Sequence, residues 1–440
     1  MLEKNSENFR PRFLRLAVVN ILSNIMIPLA GLVDTAFLGH LADIRYLTGV
    51  ALATIIFNLV YRNCNFLRMG TTGPTAQAEG NSDGEAVILI LLRNSLIALI
   101  IGLSLVALQY PLREISFSLI SATNEVKQAG SAYFNARILG APAALLNLVF
   151  IGWFLGREQS GKVLIISFIG NGINILLDYL LIVRWDWASQ GAGAATAASQ
   201  FTMLLIAIAF FIQENWWHQI ASVTNKIFDL KAIRSLFNLN RDIWLRTIAG
   251  TLTIAAFNDI SSALGTMTLA INTLLFQVII ITFYFIEGLS FATESLAGNF
   301  HGQGKTQQLF PLLKLSGISS VGIAMIIASL FISAPDFLFG LMTNHFEVIQ
   351  QLHYYIPWLF PVLVFSSLSF MLDGYFLGLT QGAILRNGVM IGSLFGFVPL
   401  AVISWQFHNS HLLWLAMCFY MAVRFIALAV RVPQTIRASS

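Results

Sequence analysis

Two carboxylates stand where the sequence is otherwise fit for lipid. Asp34 lies deep in N-I-L-S-N-I-M-I-P-L-A-G-L-V-D-T-A-F-L-G-H-L, residues 20–41, and Asp178 lies in S-F-I-G-N-G-I-N-I-L-L-D-Y-L-L-I, residues 167–182. An Asp at the centre of a spanning helix costs roughly 2.5–3.5 kcal/mol on insertion scales, so such a residue generally faces a cavity or a partner and serves ion or substrate movement. The alternative for Asp34 is a place near the outer helix end, within reach of interfacial water. Asn171, Asn174 and Asp178 are spaced by three and then four residues, which puts them on one helix face. A carboxylate with amide oxygens beside it can hold a small cation, or carry a proton when burial disfavours its charge. Thr196, in the following segment, adds a hydroxyl. The competing account makes the Asn residues interhelical glue and Asp178 a locally capped acid.

A second polar set falls in the next segments. Asn58, Arg62, Asn63, Asn65 and Arg68 crowd one otherwise apolar run, and Gln277, Glu287 and Glu294 occupy its counterpart in the second half of the chain. Asn58, Arg62, Arg68, Asn171, Gln277, Glu287 and Glu294 are therefore candidates for a cavity or gate. Arg68 and Glu287 are expected to help close the cytoplasmic side, against the alternative that each is paired within its own half. Enzyme chemistry has little to rest on. The seven histidines fall in loops or at segment ends with no ligand pair inside a segment, so no metal site is expected. No G-x-S-x-G element occurs, and G-Q-G-K at Gly302–Lys305 lacks the phosphate-loop spacing.

The elements that must position these residues are membrane helices. Of 440 residues 57% are hydrophobic and 10% charged, and the mean hydropathy is +0.75. That composition is outside the soluble globular range. With about 20 apolar residues per span, twelve spans are predicted at 13–39, 46–72, 86–108, 130–156, 161–183, 189–213, 243–262, 266–293, 309–333, 350–378, 384–406 and 411–433. An N-terminus on the inside assigns fifteen Lys and Arg residues to cytoplasmic loops and termini, from Lys4 to Arg437, against Arg45, Arg113, Lys127 and Arg184 outside. The positive-inside rule thus places both termini in the cytoplasm of a cell inner or plasma membrane. No basic patch suits nucleic acid, and Cys64 and Cys418 offer no disulfide framework.

The chain also repeats. Gly152, Phe154, Leu155, Gly156 and Gln159 recur 222 positions later as Gly374, Phe376, Leu377, Gly378 and Gln381; Gly70, Thr75, Gly80, Asn81 and Gly84 find matches 218 positions later, from Gly288 to Gly302. Six spans separate the equivalents, so the fold is expected to be all-α: two six-helix lobes related by a parallel repeat, with a site between them. The lobes are expected at 1–213 and 243–440, joined by a cytoplasmic linker at 214–242. In that linker I-F-D-L-K-A-I-R-S-L-F reads as an amphipathic surface helix or as a solvated connector. Residues 111–126 and 335–350 are expected as longer outer loops, and Pro28, Pro142, Pro357, Pro361 and Pro399 as candidate kinks. The span matching the Asp178 segment, S-L-F-G-F-V-P-L, carries no carboxylate, so the ion site is expected in the first half alone.

The runs P-L-A-G-L-V-D-T-A-F-L-G-H-L, Y-L-T-G-V-A-L, F-L-R-M-G-T-T-G-x-x-A-Q-A, G-A-P-A with G-W-F-L-G, N-I-L-L-D, N-R-D-I-W-L-R-T and E-G-L-S-F-A-T-E-S-L resemble the DinF-like branch of the multidrug and toxic compound extrusion (MATE) family. The resemblance runs in order through the eighth span. It implies a transporter of the MOP-type two-lobe fold that alternates between outward- and inward-open states. Such a protein exports small organic compounds, often cationic or amphipathic, in exchange for H+ or Na+, with no other cofactor. By the same resemblance Asp34, Asn174, Asp178 and Thr196 would form the ion site. Y-R-N-C-N-F departs from the more aromatic run of relatives. It makes Arg62 either a cavity cation favouring neutral or anionic substrates or a counter-ion to Asp34. The alternatives are a lipid-linked precursor flippase or anionic-metabolite exporter, to which Arg62 and Arg68 lend support, and, more remotely, a membrane-embedded lipid-modifying enzyme. A monomer suffices, since an internal repeat already builds a cavity.

Overall fold

The computed structural model describes residues 9–41 and 43–437; Lys4 and the Arg437 side chain, both counted in the charge balance above, lie outside what is described. The described chain is helical from end to end. Its first half comprises α1 (Phe9–Gly39), α2 (Ile44–Cys64), α3 (Phe66–Gly80), α4 (Gly84–Ala107), α5 (Gln109–Ser118), α6 (Asn124–Ile138), α7 (Ala141–Gly156), α8 (Ser160–Asp178) and α9 (Ala188–Gln213). After α10 (Trp217–Val223) come α11 (Leu230–Ala263), α12 (Thr266–Gly302), α13 (Leu309–Ser333), α14 (Pro335–Gly340), α15 (Phe346–Leu352), α16 (Leu359–Gly378), α17 (Gly382–Ile391), α18 (Val398–Phe407), α19 (Ser410–Ala429) and α20 (Val432–Arg437). Helices satisfy their own backbone, as a lipid environment demands. Their starts are set by short acceptors: Asp43 caps α2 by accepting from the Arg45 amide, and Asp83 caps α4 by accepting from Ala86 at 2.9 Å.

Ten of these segments are long and apolar enough to cross a membrane, and α6 with α7, bent by 54°, makes an eleventh. The predicted span 243–262 lies inside α11, where Arg246, Asn258 and Asp259 leave it less apolar than the rest. The stretches expected as outer loops instead hold α5, α14 and α15. Of the prolines expected to kink spans, Pro28 sits inside a helix, whereas Pro142, Pro357 and Pro399 occupy the first turn of their helices or 3-10 turns and Pro361 the third residue of α16. There the missing N–H has no intrahelical partner to lose.

The chain divides into two compact units, one of Leu22–Phe237 and one of the residues up to Ile21 with those from Asn238 onward. In the first, α7 packs on α3 and α4, α6 on α2 and α9, and α8 on α9; in the second, α16 packs on α12, α13 and α19. Helix α1 starts in the second unit, where Asn20 Nδ2 reaches the Gly288 carbonyl at 3.5 Å and Phe9 meets Phe300 edge-on.

Glycine contacts fix the register of the repeat. A Cβ on Gly152 would lie 2.5 Å from the Arg68 carbonyl oxygen, and one on Gly374 would press at least as closely on that of Ser290. Gly156 and Gly378 repeat the approach against Thr72 and Glu294. Every one of these pairs is 222 positions apart, as are the starts of α2 and α12, of α8 and α17, and of α9 and α19. The 218 offset for the Gly70 segment is therefore one helical turn out of register. Small residues recur at nearly every turn of α3 and α12, so a four-residue slip still matches glycine to glycine. In the register set by packing, Arg68 corresponds to Ser290 rather than to Ile286.

The expected linker is not a separate surface element. Its first part belongs to the Leu22–Phe237 unit: Val223 and Ile227 pack on Ile88 and Leu89 of α4, and the Arg93 guanidinium donates to the Lys226 and Ile227 carbonyls. The Glu214 carboxylate gathers Arg157, Lys162, Gln159 and the Trp216 indole N–H. From Leu230 onward the amphipathic run is simply the first turns of α11.

Candidate functional site

Helix α8 delivers its polar face as the spacing requires, but only in part. Asn174 and Asp178 are buried, with Asp178 at 0% exposure, and the Asn174 amide donates to Asp178 Oδ2 at 3.1 Å. Asn171 turns away and donates to the Ser167 carbonyl of its own helix at 2.8 Å. Directly after Asp178 the helix widens into a π-helical turn, Tyr179–Arg184, a form that concentrates at functional sites. Asp34, half-buried on α1 six residues after Pro28, comes close enough to Asp178 for the two carboxyls to interact.

Two carboxyls can share a hydrogen bond only when one carries a proton, because an ionised carboxylate is an acceptor alone. Two full charges about 4 Å apart would repel by about 4 kcal/mol at an effective dielectric constant of 20. A pair so placed can hold one proton between its members. Leu38, four residues after Asp34, and Ile182, four after Asp178, belong to one apolar cluster with Phe57, Phe134, Ile138 and Ala192.

Arg137, on α6, is the residue that motif reading passes over. Its guanidinium lies within electrostatic reach of Asp34 and donates through Nη1 to the Tyr133 phenol at 2.6 Å. The rings of Phe57 and Tyr133 lie 4.6 and 5.5 Å from its centre. A Cβ on Gly193 of α9 would sit 2.5 Å from the Tyr133 carbonyl, so the glycine lets α6 come close enough to present both side chains. A signal was available: nineteen of the 25 Lys and Arg residues suit loops or termini, and Arg137 is among the six left inside predicted spans. Arg62, expected either to line the cavity or to oppose Asp34, is exposed and pairs with no carboxylate. Ala53, Phe57 and Cys64 mark the buried side of α2, and at about 100° per residue Arg62 points about 140° from Phe57.

The other candidates do not converge on the pair. Thr196 donates its hydroxyl to the Ala192 carbonyl at 2.9 Å and bonds to neither carboxyl. Asn58 and Gln277 are exposed, Glu287 is half-buried, and Arg68 and Glu294 are buried within their own units. The second unit contains a charge cluster that no motif announces: Asp373 on α16 is bonded by both Arg246 of α11 and Arg424 of α19, all three buried. Phe370 packs 5.1 Å from the Arg424 guanidinium. Among the described residues no three His, Cys, Asp or Glu side chains are grouped as metal ligands.

Comparison with known proteins adds the lineage. The family model of MatE matches residues 20–180 and 247–403. DNA damage-inducible protein F of Escherichia coli K12 is 31% identical over 414 residues, covering 94% of this chain and 90% of that protein. The probable multidrug resistance protein NorM of Thermotoga maritima is 22% identical, covering 78% and 74%. Among solved structures, an outward-facing multidrug resistance MATE family transporter of the MOP superfamily superposes with a TM-score of 0.89 at 19% identity, over 98% of this chain and 96% of that one. A MOP superfamily transporter of Pyrococcus furiosus reaches 0.84 at 20% identity, with the same coverage. At such identities the structural likeness establishes the fold.

Proposed function

Since this chain belongs to the MATE family, we propose that it is a secondary active transporter that exports small organic compounds, often cationic or amphipathic, in exchange for protons. The observation that carries this reading is a fully buried Asp178, held by Asn174 and approached by Asp34 of α1. The two acids sit on helices α1 and α8, so a proton shared between them ties α1 to α8, and its loss leaves two adjacent charges that drive them apart. Pro28, six residues before Asp34, has no N–H to bond back along the helix and makes α1 the helix able to bend in response. A proton drives such a switch through its different affinity for the two states. Export then requires that the compound bind one state and the proton favour the other. Both termini face the cytoplasm in this reading, on the charge balance of the loops, and the transporter works as a monomer. Relatives named for multidrug resistance support export of organic compounds over enzyme chemistry.

The test is efflux of a fluorescent organic cation from energised vesicles, under proton and sodium gradients imposed separately, for wild type and Asp34→Asn. Proton-driven efflux that the variant loses is the expected result. Efflux unchanged in Asp34→Asn, or driven by sodium alone, overturns the proton reading. If the wild type moves a fluorescent anion and not the cation, the anionic or lipid-linked alternative replaces the substrate class.

A further inference from the structure

We propose that the exposed face at the start of α11 is a binding site for anionic lipid headgroups. The proposal does not depend on the export reading. Helix α11 is 34 residues long, about 51 Å at 1.5 Å per residue, whereas the hydrocarbon layer of a bilayer is about 30 Å thick. The predicted span 243–262 fills that layer, so residues 230–242 stand in the headgroup zone next to it. Leu230, Arg234, Phe237, Arg241 and Trp244 recur at steps of four, three, four and three residues, which keeps them within an arc of about 80° on one side of the helix. All five are exposed, Leu230 at 82%, Phe237 at 63% and Trp244 at 41%, while Leu236, Ile243 and Arg246 are buried on the opposite side. Phe228, just before the helix, is exposed as well.

The charges on this stretch leave cations to spare. Asp229 is engaged at the helix start, where its carboxylate accepts from the Lys231 amide at 2.8 Å. Asp242 accepts from Arg241 at 3.1 Å and from Arg386 at 2.6 Å, so one carboxylate faces two guanidinia. Among the described residues Lys231 and Arg234 pair with no acid. A face that alternates large apolar side chains with guanidinia suits neither bulk water nor hydrocarbon. It suits the layer between them, where the rings reach the acyl-chain boundary and the guanidinium forks meet phosphate oxygens. Trp244, where the span begins, is the kind of residue that marks this boundary. Charge then selects among lipids: each Lys or Arg near an anionic surface adds roughly fivefold to binding, a gain that salt screens.

The test places a fluorophore beside the face. Cys64 and Cys418 are both buried, so Asn238→Cys, exposed next to Phe237, supplies the one accessible thiol for an environment-sensitive label. The labelled protein goes into mixed vesicles of phosphatidylglycerol and phosphatidylcholine, with bromine on the acyl chains of one lipid or the other. At low salt, brominated phosphatidylglycerol is expected to quench at least about threefold more than brominated phosphatidylcholine at equal mole fraction. Adding Lys231→Gln and Arg234→Gln should bring the two quenching levels together, as should high salt. Equal quenching by the two lipids in the protein with Lys231 and Arg234 intact overturns the proposal, because the face would then be immersed without choosing a headgroup. Quenching by neither lipid also overturns it, and label-to-label energy transfer in that case would assign the face to a second copy of the chain. Where the Gln variants fail gel filtration the salt series decides, and a preference that salt leaves unchanged counts against the charged contacts.

Discussion

The two halves each hold a charged cluster, of different make-up. In the Leu22–Phe237 unit two acids, Asp34 and Asp178, lie within electrostatic reach of one another and Asp34 of one base, Arg137; in the other unit two bases, Arg246 and Arg424, bond one acid, Asp373. In the first, the two acids stand close enough to share a proton. In the second, two guanidinia saturate a single carboxylate with charge-assisted bonds. The first arrangement can gain and lose a proton and remain within one charge of neutrality. The second is a clasp joining α11, α16 and α19. Repeat symmetry therefore supplies the scaffold twice and the titrating pair once. By the 222 offset, Asp34 and Asp178 correspond to Ala256 and Leu400, and Asp373 to Ile151.

The sharpest way to break this contrast is to neutralise one acid on each side. Asp373→Asn leaves two buried guanidinia without their charge partner and is expected to cost about 3–5 kcal/mol of stability, read as a lower melting temperature in detergent. Asp178→Asn keeps a polar side chain facing Asp34 and is expected to change stability by less than about 1 kcal/mol while abolishing proton-driven efflux. Equal losses of stability in the two variants would show that both clusters are structural. A second experiment sharpens the clasp reading. Replacing all three of its members, with Arg246→Met, Asp373→Leu and Arg424→Met, should recover most of the loss caused by Asp373→Asn, because apolar packing commonly matches a buried ionic triad. A triple variant no better than the single one would mean that the clasp has a role beyond joining helices.

A smaller effect tests the shared scaffold. Gly152→Ala and Gly374→Ala each press a methyl against a backbone carbonyl of the neighbouring helix and should destabilise by a similar amount, about 1–3 kcal/mol. Gly172→Ala meets nothing within 4 Å on α8 and should be neutral or stabilising by up to about 1 kcal/mol. Unequal costs at Gly152 and Gly374 would mean that the repeat equivalence holds in sequence but not in packing.

The sequence made the membrane architecture and half of the site legible, for physical reasons. Apolar length reports spans directly, and the Asn174–Asp178 spacing of four residues reports a shared helix face. Asp34 stood out because a lone acid in an apolar run is too costly to stand there without a cavity or a partner. Arg137, Arg246, Asp373 and Arg424 did not stand out, because the charge each meets lies on a different helix, α1 for Arg137 on α6, and α16 for Arg246 on α11 and Arg424 on α19. No spacing along the chain encodes such meetings. Arg62 misled for the complementary reason: its charge is conspicuous in the chain, but helical rotation carries it off the buried face of α2. The four-residue slip in the repeat arose because small residues recur once per turn, and only the contact of Gly152 with Arg68 fixes which turn is meant.

The smallest expected effect concerns Thr196, which the family resemblance assigns to the ion site. Its hydroxyl proton is committed to the Ala192 carbonyl at 2.9 Å, so it donates to neither acid. Thr196→Ala removes one intrahelical side-chain bond, worth about 0.5–1.5 kcal/mol, and leaves Asn174, Asp178, Asp34 and Arg137 with every partner described above. Proton-driven efflux of the variant should stay within about threefold of wild type, since a loss of about 0.7 kcal/mol corresponds to that factor. A collapse to the level of Asp178→Asn would mean that Thr196 swings onto the pair in another state of the cycle.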